Sequence, residues 1–201
     1  MRRWAVICAF SVLVGCTTPG AYFTPVQGKS YAPEPAVDSE RVLLVLYRPQ
    51  SQWADQELEA PGLFVNNQLV AALPSNGYLA LELDLAVHRV EMRRPLGGTY
   101  WTLLAEGPFD FNRIASFELN PEVGEVYYLR YDELNPPPKV SKAGAFGEGP
   151  LQLVDADLAL EELPATKQIQ ARQRVAASDD LSREQEGFWR SVGRALDKIG
   201  I

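Results

Sequence analysis

Arg41-Val42-Leu43-Leu44-Val45-Leu46-Tyr47-Arg48 is the run on which the fold turns. It is short, partly β-branched, and stopped by Pro49, which has no N–H to donate. Odd and even positions are both apolar, so an extended chain here shows apolar side chains on both faces. That pattern belongs to a strand in the middle of a sheet.

Working outward, Leu63-Phe64-Val65 and Gln68-Leu69-Val70-Ala71 flank Asn66-Asn67. Asn tolerates positive φ, so the pair predicts a two-residue hairpin. Pro74-Ser75-Asn76-Gly77 is a second turn. Tyr78–Leu83 and Val87–Met92 follow as another strand pair, with His88, Val90 and Met92 on one face and Val87, Arg89 and Glu91 on the other. Pro95–Gly98 turns the chain into Tyr100–Leu104. Ser116–Leu119 and Glu125–Tyr131 form a further hairpin about Asn120–Gly124. Residues 132–149, with Pro136-Pro137-Pro138 and three glycines, read as a mobile loop, and Leu151–Val154 as a last strand. Seven or eight short strands separated by turn chemistry predict a mainly β chain, an antiparallel β-sandwich over 41–154. Asp157–Leu163 and Thr166–Ala176, separated by Pro164, read as helical, and 155–201 as a helical C-terminal extension.

The N-terminus carries a different signal. Arg2 and Arg3 precede Trp4–Val14, an almost unbroken apolar run too short to span a bilayer. It ends in Leu13-Val14-Gly15-Cys16, which resembles the lipobox of bacterial lipoproteins: an aliphatic residue, two small or short ones, then cysteine. The resemblance implies residues 1–15 as a signal peptide, cleavage between Gly15 and Cys16, and a diacylglycerol on the Cys16 sulfur. Two or three acyl chains anchor a protein firmly where one does not. Thr17 stands where Asp would signal retention in the inner membrane, so the expected place is the outer membrane, facing the periplasm. Residues 16–40, with Pro19, Pro25, Pro33 and Pro35 and no apolar period, read as the lipidated end and a flexible tether; Tyr22, Phe23 and Tyr31 packing along the domain is the alternative.

Charge and cysteine count narrow the function. The formal charge is −7, and loss of the two N-terminal arginines takes it to −9. With no basic tract the chain is a poor match for nucleic acid, whose phosphates demand clustered Lys and Arg. Of two cysteines, Cys8 leaves with the signal and Cys16 carries lipid, so no disulfide is expected in the mature chain.

Val45-Leu46-Tyr47-Arg48-Pro49, Val65-Asn66-Asn67-Gln68-Leu69-Val70, Gly77-Tyr78, the His88 strand and Gly124-Glu125-Val126-Tyr127-Tyr128-Leu129-Arg130 together resemble the DUF2846 domain family. The resemblance runs from Arg41 to about Lys167. It implies a small β-sandwich related to carboxypeptidase-regulatory, transthyretin-like or PEGA-like modules, and no known activity. Such domains usually place Pro-Gly shortly before the strand histidine; this chain has Leu85-Ala86-Val87 there.

Catalytic chemistry is thin. His88 is the only histidine, and no Gly-x-Ser-x-Gly elbow accompanies it, so a nucleophilic triad is not expected and His88 reads as a packed strand residue. One histidine without cysteines makes a poor zinc set, and no metal or cofactor is expected. Asp155, Asp157, Glu161 and Glu162 suit helix capping by Asp155 or Asp157 better than a calcium loop. Glu57, Glu59, Glu82 and Asp84 are the acids that a glycosidase-like pair would draw on, with a solvated surface as the alternative. Gly144, Gly147 and Gly149 lack the Lys-Ser/Thr ending of a phosphate loop.

Aromatics are the remaining asset. Trp53 lies in a loop; Tyr100 and Trp101 fall on opposite faces of a strand, and Tyr127 and Tyr131 share a face of another. Phe188, Trp189, Val192, Leu196 and Ile199 fall at helical spacing beside a stripe of Arg190, Arg194 and Lys198. Trp53, Trp101, Phe188 and Trp189 are the candidate binding surface. The expectation is a non-enzymatic, lipid-anchored module with an envelope protein partner; a carboxylate-dependent hydrolase or lyase of envelope glycans is the alternative.

Overall fold

The fold was obtained as a computed structural model, which describes residues 26, 28–33, 40–95, 113–135 and 145–177. In chain order the strands are β1 (Arg41–Tyr47), β2 (Gly62–Val65), β3 (Gln68–Ala72), β4 (Gly77–Asp84), β5 (His88–Arg93), β6 (Arg113–Leu119), β7 (Val126–Tyr131), β8 (Ala145–Glu148), β9 (Leu151–Val154), β10 (Lys167–Gln168) and β11 (Gln173–Val175). Helix α1 (Gln52–Asp55) follows β1, and α2 (Ala156–Glu162) follows β9 and runs into a 3-10 turn, Leu163–Ala165.

Two sheets pack face to face, as in a sandwich. One has the order β10-β4-β1-β7-β9, with β11 also paired to β4; the other has the order β3-β2-β5-β6-β8. β1 is central, antiparallel to β4 and parallel to β7. Its two apolar faces have two different fates. Val42, Leu44 and Leu46 enter the core between the sheets, against Leu63, Val90, Met92 and Phe117. Leu43, Val45 and Tyr47 face outward and are covered by Ala159 and Leu163 of the helical segment and by Tyr31. Each buried aliphatic side chain contributes about 1.5–3 kcal/mol relative to exposure, so a central strand apolar on both sides is a large share of the core.

The turns follow their chemistry. Asn66 and Asn67 both take positive φ, 51° and 63°, the primed geometry that a two-residue hairpin needs. Asn76 does the same at 58°, and the Gly77 N–H closes onto the Pro74 carbonyl. After Asp84, where Pro-Gly is missing, the Ala86 N–H returns to the Asp84 carbonyl at 2.9 Å.

Two pairings and three segments differ from expectation. Tyr78–Leu83 with Val87–Met92, and Ser116–Leu119 with Glu125–Tyr131, read as paired strands, are split: β4 and β7 lie in one sheet and β5 and β6 in the other, because each connecting turn carries the chain across the core. Thr166–Ala176 is extended, not helical: β10 and β11 run parallel along the β4 edge. The Ile169 N–H donates to the Tyr78 carbonyl at 2.9 Å, and Ile169 and Val175 pack on the core. Pairing to an open strand edge overrides the helix propensity of its Lys, Gln and Arg residues. Residues 145–148, read as loop, form β8 along β6. Tyr31 follows its alternative reading. It is buried, edge-on to Tyr78 with ring centroids 5.3 Å apart. Ser30 bridges Lys167 there, so residues 28–33 dock on the domain. The strand expected over 100–104 and the helical spacing expected from Phe188 to Ile199 lie outside the described residues.

Candidate binding cleft

Arg48 stands where β1 ends, its N–H bonded to the Gly77 carbonyl at 2.9 Å. Its guanidinium is buried, and a buried charge is tolerated only when paired. Nη1 donates to Glu57 Oε2 at 2.6 Å and to the Leu73 carbonyl at 3.2 Å; Nη2 donates to both carboxylate oxygens of Glu133 at 3.0 Å. The guanidinium carbon also lies 5.3 Å from the Tyr131 ring centroid, and the Tyr131 hydroxyl donates to Glu133 Oε1 at 2.6 Å. Burial alone would lower the Arg48 pKa, but bonding to Glu57 and attraction to Glu133 and Glu57 carry it above its ordinary value. Burial first, and then Glu133, push the Tyr131 hydroxyl far above the ordinary tyrosine range. The result is a permanent cation that fixes two glutamates on separate loops.

Those glutamates line an open cleft of about 370 Å³. Its apolar walls are Trp53, Pro61, Pro95, Ile114 and Leu134; its polar groups are Glu57, Glu59, Glu133 and Arg94. Trp53 sits on α1, a one-turn helix started by Ser51, whose Oγ accepts the Ala54 N–H at 3.1 Å. That turn presents the indole 55% exposed, with Leu134 56% exposed. Of the candidate binding aromatics, Trp53 lies at the cleft; Trp101, Phe188 and Trp189 lie outside the described residues, as do Gly15 and Cys16.

The candidate acids separate. Glu57 and Glu59 reach the cleft, whereas Glu82 and Asp84 lie on β4 and bind arginines. Glu82 takes Arg172 at 2.8 Å and Arg174 at 2.9 Å, holding the β10–β11 strap, and Asp84 takes Arg41 at 3.2 Å. Glu133 was not among the expected acids. Asp155 occupies the N-cap position of α2 without a side-chain capping bond. Gly149, at φ 72°, is the β8–β9 turn residue. Tyr127 and Tyr131 are core residues on one face of β7.

His88 is wholly buried. Nε2 donates to the Asp84 carbonyl at 2.9 Å, so the unprotonated Nδ1 accepts from Asn66 Nδ2 at 3.0 Å. Asn66 Oδ1 in turn accepts the Arg89 N–H at 3.1 Å. Both ring nitrogens are used in joining the β2–β3 turn to the β4–β5 turn, and burial lowers the His88 pKa. This is the packed strand histidine that the sequence suggests.

A second buried cluster lies on the outer face of the other sheet, where Arg93 bonds Glu91, donates to Asn67 Oδ1 at 2.8 Å and covers the Phe64 ring at 4.2 Å. Among the described residues no group of three or more His, Cys, Asp and Glu side chains is placed to hold a metal ion. No helix among them is long and apolar enough to cross a membrane.

The Arg48 hub was missed in the sequence. A charged residue closing a fully apolar strand was its signal, because such a residue is buried only when paired.

One family, described as a protein of unknown function (DUF2846), matches residues 38–145, more than half of the chain. No curated protein and no solved structure matches it.

Proposed function

The chain belongs to the DUF2846 family, and we propose that it is a lipid-anchored binding module of the cell envelope, held through Cys16 at the periplasmic face of the outer membrane. The observation that carries the binding reading is the cleft: an exposed indole beside carboxylates that Arg48 holds from beneath. Glu57 and Glu133 spend acceptor positions on a buried guanidinium, which suits fixed recognition groups better than a proton-shuttling pair. The hydrolase reading has one point in its favour, the presence of Glu57, Glu59 and Glu133 on one cleft.

The anchor and the domain fit together by length. From Cys16 to the docked Gly28 there are twelve residue steps, which extend to at most about 43 Å. A leash of that length keeps the sandwich close to its membrane.

The test is a photoreactive phenylalanine, which keeps an aromatic ring, placed at position 53 of the full chain in living bacteria, with position 123, 61% exposed, as control. The binding reading expects a discrete adduct at 53, absent at 123, and lost in Cys16→Ala. No adduct at 53 above the control, or cleavage of envelope glycans by the purified full-length protein, would overturn it.

A further inference from the structure

We infer that the cleft beside Trp53 receives a basic segment of a partner protein, one lysine or arginine side chain entering with its apolar stem along Trp53 and Leu134 and its cation against the glutamates. The inference rests on the binding reading above and names its partner chemistry.

Charge complementarity carries it. Among the described residues three carboxylates, Glu57, Glu59 and Glu133, meet two guanidiniums, Arg94 on the wall and Arg48 beneath, so this described lining is net negative. Arg48 is 1% exposed and cannot reach an incoming group, whereas the Glu57 and Glu133 side chains are each 22% exposed. The cation therefore acts as a hidden brace, and the face offered to solvent is the anionic one. A carboxylate has about four acceptor sites, and Glu57 commits Oε2 to Arg48. Because the brace fixes the carboxylates before a ligand arrives, little side-chain freedom is lost on binding.

The walls select the stem. Trp53 and Leu134 are large, exposed and line the same cleft. An indole face attracts a cation, and a lysine or arginine stem is apolar along its length. An anionic ligand would be repelled by the glutamates, and a purely apolar one would gain nothing from their charge.

The experiment uses the full-length, lipidated protein in detergent micelles and measures fluorescence anisotropy of labelled pentalysine and pentaglutamate peptides. The expected result is saturable pentalysine binding, no pentaglutamate binding, and at least fivefold weaker pentalysine binding for Trp53→Ala and for Glu59→Gln. These two variants leave the Arg48 brace intact. Glu118→Gln, an exposed ion-pair residue on β6, should bind as the wild type does. Absence of pentalysine binding, an equal loss in Glu118→Gln, or unchanged binding in Trp53→Ala overturns the inference. An adduct from position 53 in cells despite any of these results would leave the binding module standing with a different partner chemistry; no adduct would remove both.

Discussion

Arg130 on β7 grips Glu162 on α2 at two points, Nε to Oε2 at 2.8 Å and Nη2 to Oε1 at 3.0 Å. The same Oε2 accepts the Tyr47 hydroxyl at 2.7 Å, so one carboxylate ties the central strand, its parallel neighbour and the covering helix. Arg130 is further held by Asp132 at 3.0 Å and by the Asn135 carbonyl at 2.9 Å. Burial and Glu162 raise the Tyr47 pKa far beyond its ordinary value, keeping the hydroxyl a donor.

Glu162→Ala should therefore cost about 3 kcal/mol, the lower part of the range for breaking a partly buried ion pair, since Arg130 keeps two partners. The melting temperature should fall by about 6–12 °C. Glu162→Ala with Arg130→Met should recover part of the loss. A change under two degrees would show that α2 is held by Ala159 and Leu163 alone.

His88 predicts a pH dependence. Its folded pKa is lowered from the ordinary 6.5 by burial. Above about pH 6.5 the ring is neutral in both states and stability is complete. As the pH falls below 6.5 the unfolded chain takes up a proton that the folded chain refuses. Stability then declines by up to about 1.4 kcal/mol per pH unit until the folded pKa is reached. Urea melts at pH 7.5 and 5.5 should show a larger loss for the wild type than for His88→Gln. Equal losses would mean that the buried ring titrates as if in water.

Gly28 makes the N-terminal docking testable. A Cβ there would sit 1.8 Å from the Gln168 carbonyl oxygen, a backbone atom that cannot step aside alone. Gly28→Ala should detach residues 28–33, costing about 1–3 kcal/mol as overpacking does. Limited proteolysis should then cut near Tyr31, which the wild type protects against Tyr78. An unchanged digestion pattern would contradict the docked arrangement.

Local chemistry made much of the fold legible, and long-range pairing hid the rest. The alternation-free apolar run at Val42–Tyr47 announced a strand buried on both faces, and Asn66-Asn67 announced its turn. Both are properties of adjacent residues. The strap at Lys167–Val175 was misread because its Lys, Gln and Arg residues suit a helix, while the β4 edge and Glu82 that straighten it lie far away in sequence. Trp53 reads as a loop aromatic in the sequence and sits instead on the one-turn α1, and its cleft was not legible. Arg48 and Glu133 are 85 positions apart, and nothing in either segment names the other.

The proposed placement of the cleft near a membrane depends on anchorage at Cys16, and intact-mass spectrometry of the protein purified from bacterial membranes tests that proposal most directly. The predicted species begins at Cys16 and carries diacylglyceryl, with or without a third acyl chain, while Cys16→Ala stays uncleaved and unacylated. A wild-type mass that retains Met1–Gly15, or that shows a bare Cys16, would contradict it.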